Sequence, residues 1–293
     1  MSAYHTPVML GEVLEHLDVQ KDKWYVDCNV GGGGHTGAIL DKGGCVLGID
    51  LDKDAIDEVE KSHQSSVLSH KLILVQSNFA KIKEICEEKN ITPNGILFDL
   101  GVSTHQLEEP GRGFSLSKDA PIDMRMDQGF GASAKDLVNG LHAGELEELF
   151  LKYGEDFQAK RIARAIVEAR KEKPIETTSE LAEIVAGASF RKKGDRIHPA
   201  TRIFQALRIA VNDELNSLKE ALPVSFEALA LGGRLVVINF HSLEDRIVKN
   251  YFRELEEAGV AKVLTDKPVT PTVEEIARNP KSRSAKLRVI EKL

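Results

Sequence analysis

Trp24-Tyr25-Val26-Asp27-Cys28-Asn29-Val30-Gly31-Gly32-Gly33-Gly34-His35-Thr36 is the stretch whose reading decides the fold. An apolar run ends in a carboxylate, passes through glycines, and enters a helical pattern from Thr36 to Leu40. Glycine permits positive φ and places no Cβ where backbone nears a ligand. At the end of a parallel strand, such a turn is where an α/β protein holds a nucleotide-like molecule.

Working outward, Trp24–Cys28, Cys45–Ile49, Leu72–Val75 and Gly95–Leu100 are short apolar runs of the kind buried in parallel sheets. Helical patterns at Asp54–Lys61 and Phe79–Lys89 separate them, so a doubly wound α/β sheet is expected. The alternation then stops. Residues 106–131 have a loop-like composition rich in Gly, Pro, Ser and charge, and 135–216 read as helical. Apolar stripes there include Leu146, Leu149 and Phe150; Ile162, Ala165, Ile166 and Ala169; and Ile203, Phe204, Leu207, Val211 and Leu215. A strand returns at Arg234–Phe240, then a helix at Leu243–Glu257 and two late strands at Ala261–Thr265 and Ala285–Glu291. The expected architecture is a mostly parallel sheet with a late antiparallel strand, built from 1–105 and 214–293. An inserted helical domain, 106–213, leaves at the carboxyl end of the fourth strand, so it would overhang the ligand side.

The 293 residues, 42% hydrophobic and 29% charged, suit a packed globular protein. Cys28, Cys45 and Cys86 lack CxxC or metal spacing and read as small core residues of a reducing compartment. The N-terminus does not read as a secretory signal, and no apolar run nears the roughly 18 residues of a membrane span. A cytoplasmic protein with no membrane partner and no metal is expected. The net charge of -7 is unevenly spread. Residues 158–212 carry twelve Lys/Arg against six Asp/Glu, and 278–293 carry six against one. Two basic segments on an acidic body fit a phosphate-binding face, and equally fit solvated helix surfaces.

The glycine pattern alone fits nicotinamide and adenosyl ligands alike. Asp50, ending the second strand, suits a ribose diol because a carboxylate accepts two hydroxyl hydrogen bonds. Asp27, before Gly31, would repel a pyrophosphate but suits the ammonium of S-adenosyl-L-methionine; a turn-stabilising role is the alternative. Ser77-Asn78-Phe79 would either edge an adenine or form a helix cap with Phe79 in the core. Asp99 emerges at the end of the fourth strand, where a transferable methyl would lie.

From end to end the chain resembles the bacterial ribosomal small-subunit RNA (cytosine-N4) methyltransferases, the MraW or RsmH family. The resemblance rests on His5-Thr6-Pro7-Val8-Met9-Leu10, Gly33-Gly34-His35-Thr36, Asp99-Leu100-Gly101-Val102-Ser103 and Arg112-Gly113-Phe114-Ser115. It continues through Asp123-Met124-Arg125-Met126-Asp127, Tyr153-Gly154-Glu155, Lys160–Ile166, His198–Arg202, Phe204–Ile209 and Phe240–Lys249. The family usually has Thr at position 29, Ser at 239 and Glu at 156, where this chain has Asn29, Asn239 and Asp156. The segment Pro280-Lys281-Ser282-Arg283-Ser284 varies a Pro-Arg-Ala-Arg-Ser pattern. The resemblance implies a class I, Rossmann-like methyltransferase with S-adenosyl-L-methionine as donor. The implied target is a cytidine N4 in the decoding region of small-subunit ribosomal RNA. It implies cofactor contacts at Gly33, Gly34, His35, Asp50, Phe79, Asp99 and Gln106, to which the residue reading adds Asp27 and Gly31.

A cytosine amine is a poor nucleophile because its lone pair is delocalised into the ring. Acceptors holding its N–H bonds out of plane would localise that pair; Asp99 is one candidate, and Asn239 or Ser242 another. His241 is either a proton acceptor or base contact, or an orienting group at the strand end. Phe240 or Phe114 would stack on an extruded base or else belong to the core. Arg161, Arg164, Arg191, Lys192, Lys193, Arg196 and Arg202 are the candidate phosphate contacts to ribosomal RNA or the small subunit. Monomer and homodimer both stay open. So do a methyltransferase for a small molecule or protein and a non-catalytic RNA-binding assembly factor, while Asp27 argues against a nicotinamide oxidoreductase.

Overall fold

The computed structural model describes residues 7–109, 111–129, 131–190 and 198–293. The chain divides into two compact units, Met1–Thr104 with Leu215–Leu293, and His105–Glu214. In chain order the first unit runs α1 (Leu10–Leu17), β1 (Trp24–Asp27), α2 (Gly34–Asp41), β2 (Cys45–Asp50), α3 (Lys53–Ser62), α4 (Gln64–Leu68), β3 (Leu72–Gln76), α5 (Ile82–Lys89) and β4 (Gly95–Asp99). After α6 (Thr104–Glu108) come α7 (Ala134–Gly140), α8 (Ala143–Gly154), α9 (Ala159–Ala169), α10 (Thr178–Ala188) and α11 (Ala200–Asn212). The chain then returns through α12 (Glu214–Ala228), β5 (Arg234–Asn239), α13 (Ser242–Glu257), β6 (Ala261–Val263), α14 (Val273–Arg278) and β7 (Lys286–Lys292).

The sheet order is β3-β2-β1-β4-β5-β7-β6. β1 to β5 are mutually parallel, and β7 runs antiparallel to both β5 and β6. Side chains alternate across a pleated strand, so even and odd positions feed different layers. Val26, Leu47, Ile49, Ile96, Phe98, Leu235 and Val237 join α5, α12 and α13 in one core. Tyr25, Val46, Leu97, Val236 and Ile238 join α1, α2 and α3 in the other. The near-continuous apolar strands are the consequence of burial on both faces.

The same alternation fixes the carboxylates. Asp27 follows Tyr25, Asp50 follows Val46, and Asp99 follows Leu97 at even spacing, so all three leave the sheet on the α1–α2–α3 side. Asn239 has the parity of Val237 and leaves on the opposite side.

Local chemistry sets the element ends. Asp52 caps α3 by accepting from the Asp54 amide at 3.1 Å. The helix expected over Phe79–Lys89 starts as a 3-10 turn, Phe79–Lys81, because Asn78 accepts from the Ala80 amide at 2.8 Å. In the second unit α8 packs on α9 and α11, with Leu146, Phe150, Ile162, Ile166, Ile203 and Leu207 buried. Gly154 permits the α8–α11 approach: a Cβ there would meet the Arg202 carbonyl oxygen at 2.9 Å. Among the described residues, no helix is long and apolar enough to cross a membrane.

Candidate active site

The turn after β1 takes positive φ at Gly31 (51°) and Gly33 (76°), which few side chains adopt without strain. Ligand clearance is not what Gly33 and Gly34 supply. A Cβ on Gly33 would sit 2.9 Å from Val59 Cγ2, and one on Gly34 would sit 3.0 Å from Pro7. Gly31 is different: its amide donates to Asp50 Oδ2 at 2.9 Å, tying the turn to the end of β2.

Asp27 is 1% exposed. Its Oδ2 accepts from Thr36 Oγ1 at 2.7 Å and its Oδ1 from the Asn29 amide at 3.3 Å. The turn-stabilising role is therefore present in the fold. Burial raises its pKa, opposed by the charge of His35 and the Thr36 bond.

His35, in the first turn of α2, is 4% exposed. Its Nε2 lies 3.4 Å from Asp99 Oδ2. Burial alone would lower the imidazole pKa, but Asp99, with Asp27 behind it, outweighs that and raises it. Buried polar groups normally find partners. Here, among the described residues, Asn29 Oδ1, His35 Nδ1 and Asp99 Oδ1 have no hydrogen-bond partner. Unmet donors and acceptors gathered around the ends of β1 and β4 fit a polar ligand.

Asp50 also accepts from the Asp52 amide at 2.8 Å. Burial pushes its carboxyl up to about 6, against the lowering effect of the Asp52 and Gly31 amides. Each oxygen keeps a lone pair for a hydroxyl donor. Phe79 packs edge-on against Phe98 with centroids 5.4 Å apart, on the α5–α12–α13 side. Asn78 caps, and donates to Ser217 Oγ at 3.0 Å, so the cap and the core contact are both present, with Phe79 only partly buried.

At the end of β5, Asn239 is fully buried and its Nδ2 donates to the Lys286 carbonyl at 3.2 Å, leaving Oδ1 without a partner among the described residues. His241 is the N-cap of α13. Its Nδ1 accepts from the Glu244 amide at 3.4 Å, and its Nε2 lies 3.1 Å from Glu244 Oε1. The Nδ1 contact is the orienting role, while Nε2, close to Glu244, makes no hydrogen bond among the described residues and leaves the proton-acceptor or base-contact role open. Glu244, buried and unread in the sequence, also accepts from the Phe240 and His241 amides at 2.8 and 3.3 Å. The spacing His241-x-x-Glu244 is a capping box with imidazole in place of a hydroxyl, which is the signal that could have found it. Ser242 opens α13 and is exposed. Phe240 packs on the α1–α2–α3 core, and Phe114 is buried.

In the second unit Gln106 lies buried in α6. Arg161 and Arg164 project from the exposed side of α9. Arg202 is exposed, yet its Nη1 donates to the Glu155 carbonyl at 3.1 Å, and Gln205 Nε2 donates to that of Tyr153 at the same distance. Two of the matched segments thus meet as a cap on the end of α8. Arg191, Lys192, Lys193 and Arg196 fall outside the described residues.

Five parallel strands in the order β3-β2-β1-β4-β5, completed by antiparallel β7 and then β6, with carboxylates at the ends of β1, β2 and β4, define a class I, Rossmann-like methyltransferase. The sequence model of the MraW methylase family matches residues 2–293. The chain is 46% identical to ribosomal RNA small subunit methyltransferase H of Syntrophus aciditrophicus (strain SB), covering 99% of this chain and 98% of that protein. It is 44% identical to the protein of the same name from Carboxydothermus hydrogenoformans (strain ATCC BAA-161 / DSM 6008 / Z-2901), covering 100% and 99%. It is similar at 12% identity and a TM-score of 0.47 to the solved rRNA methylase from Streptococcus thermophilus, over 99% of each chain. The chain belongs to the MraW methylase family.

Proposed function

We propose that the protein transfers a methyl group from S-adenosyl-L-methionine to the N4 amine of a cytidine in the decoding region of small-subunit ribosomal RNA. The observation that carries this reading is Asp99. It stands at the end of β4 with Oδ1 buried and unpartnered, and Oδ2 against His35 Nε2 at 3.4 Å. The names of the relatives support ribosomal RNA as substrate class.

The donor fits the residues present. Asp50 would hold the ribose diol, and Asn29 Oδ1 beside Asp27 would take the ammonium. When bound, S-adenosyl-L-methionine supplies an electrophilic sulfonium methyl. Asp99 Oδ1 accepts one N–H of the cytosine amine and pulls it out of the ring plane, which frees the nitrogen lone pair. Holding that nitrogen in line with the methyl supplies much of the remaining rate. The amine becomes cationic as it gains the methyl, and Asp99 receives its proton. His35 keeps the carboxylate oriented and balances its charge. Asn239, on the opposite side of the sheet with its amide bound to Lys286, is the weaker second acceptor. Because the target must be unstacked, an unpaired or extruded cytidine is required. The basic face of the second unit, with Arg161 and Arg164, contacts RNA phosphates.

The test is methyl transfer to small ribosomal subunits by Asp99→Ala. Loss of transfer with donor binding retained is expected, whereas near-normal turnover would remove Asp99 from the reaction.

A further inference from the structure

Among the described residues the largest exposed apolar side chains of the second unit are Phe157, 94% exposed, and Phe190, 74% exposed. Both are held by ordered backbone. Asp156 Oδ1 accepts from the Gln158 amide at 2.8 Å, and the Asp156 amide donates to the Phe150 carbonyl at 3.4 Å, which fixes the loop carrying Phe157. Gln158 then reaches across to Phe190, accepting from its amide at 2.6 Å and donating to its carbonyl at 3.4 Å. The side chain that clamps Phe190 therefore belongs to the residue directly after Phe157. The Arg161 guanidinium lies 3.9 Å from the centroid of the Phe190 ring. It covers one face, so the exposed remainder of the ring is its other face and edge.

Two phenyl rings left open to water on one surface mark a contact surface. The charge around them selects the partner. Lys160, Arg161 and Arg164 are exposed on the first turns of α9, directly after Phe157. Aromatic rings and guanidinium planes set among cations are the elements on which unpaired bases stack while phosphates are neutralised. We infer that Phe157, Phe190 and Arg161 form a stacking platform for unpaired bases of the RNA substrate, separate from the methyl-transfer residues. The inference rests on the RNA-methyltransferase reading and adds where flanking single-stranded RNA is gripped.

The test measures binding of a short single-stranded RNA carrying 2-aminopurine, and of small ribosomal subunits, by wild type, Phe157→Ala, Phe190→Ala and Phe157→Tyr. Thermal melting and donor binding monitor folding, and sedimentation velocity gives the oligomeric state. Each alanine variant should weaken RNA binding about fivefold or more and relieve 2-aminopurine quenching, with melting and salt dependence unchanged. Phe157→Tyr should restore binding. Arg161→Gln should in addition flatten the salt dependence by about 0.7 in log–log slope. Wild-type RNA affinity in both alanine variants would overturn the platform while leaving the methyltransferase reading intact. Conversion of a dimer to a monomer by either variant would also overturn it, assigning the rings to a second copy of the chain. If the wild type itself neither binds RNA nor methylates subunits, both readings fall.

Discussion

Lowering the pH from about 7 to about 5 should weaken binding of an adenosyl ligand about tenfold through Asp50 alone. Its carboxyl titrates at about 6 because burial disfavours the charge. On the proposed reading a ribose diol donates to the Asp50 carboxylate, so binding favours the ionised form. That form outnumbers the protonated one about ten to one at pH 7 and is outnumbered by the same ratio at pH 5. The linkage sign for the free protein is opposite. With the folded pKa raised above the ordinary carboxylate value of 3.8, the native state holds the proton longer, so stability falls as pH rises through the window from about 4 to 6. Ligand should offset that loss. Isothermal titration with adenosine isolates Asp50, since adenosine lacks the methionine end that concerns Asp27 and His35. Asp50→Asn should bind more weakly at neutral pH and lose the pH dependence. Affinity that stays flat across the window in wild type, or falls identically in Asp50→Asn, would refute the reasoning.

Other consequences are as direct. Asp99→Ala should lower the methyl-transfer rate by about 10²–10⁴-fold, the usual range for a lost proton acceptor, with donor affinity little changed in titration. Asp99→Asn should lower the His35 pKa, read by NMR of its ring, because the neighbouring charge that offsets burial is gone. In wild type the His35–Asp99 contribution to stability is full below the ordinary histidine value of 6.5 and fades as pH rises through the elevated one. Gly33→Ala should destabilise by roughly 1–3 kcal/mol in thermal melts, since its Cβ would press on Val59 Cγ2 at a left-handed position. Asn239→Ala should lower the melting temperature more than the turnover number, because the Lys286 carbonyl loses its donor.

The sheet was legible because β1 to β5 are apolar runs closed by turn residues, and burial on both faces leaves that pattern in the sequence. One boundary shifted where a single hydrogen bond decides it, Asn78 turning the start of the Phe79–Lys89 helix into a 3-10 turn, and the late strand ended at Val263 rather than Thr265. Helices α1 and α14 went unread; α1 is only eight residues and α14 six. Asp27, Asp50 and Asp99 were legible as strand-end carboxylates, and their shared face follows from even spacing. What the one-dimensional pattern hid was partnership. The Gly33 and Gly34 contacts with Val59 and Pro7, the His35–Asp99 approach and the His241–Glu244 cap all join residues whose identities fit several roles. Likewise Arg202, read as a phosphate contact, spends its guanidinium partly on the Glu155 carbonyl. Only the folded geometry chooses among such roles.

The central claim is tested most directly by mass mapping of nucleosides from small-subunit ribosomal RNA after incubation of small subunits with the protein and isotope-labelled S-adenosyl-L-methionine. Label should appear as N4-methylcytidine at a cytidine of the decoding region, and should vanish with Asp99→Ala. Label on another atom, on another nucleoside, or undiminished in Asp99→Ala would contradict the account.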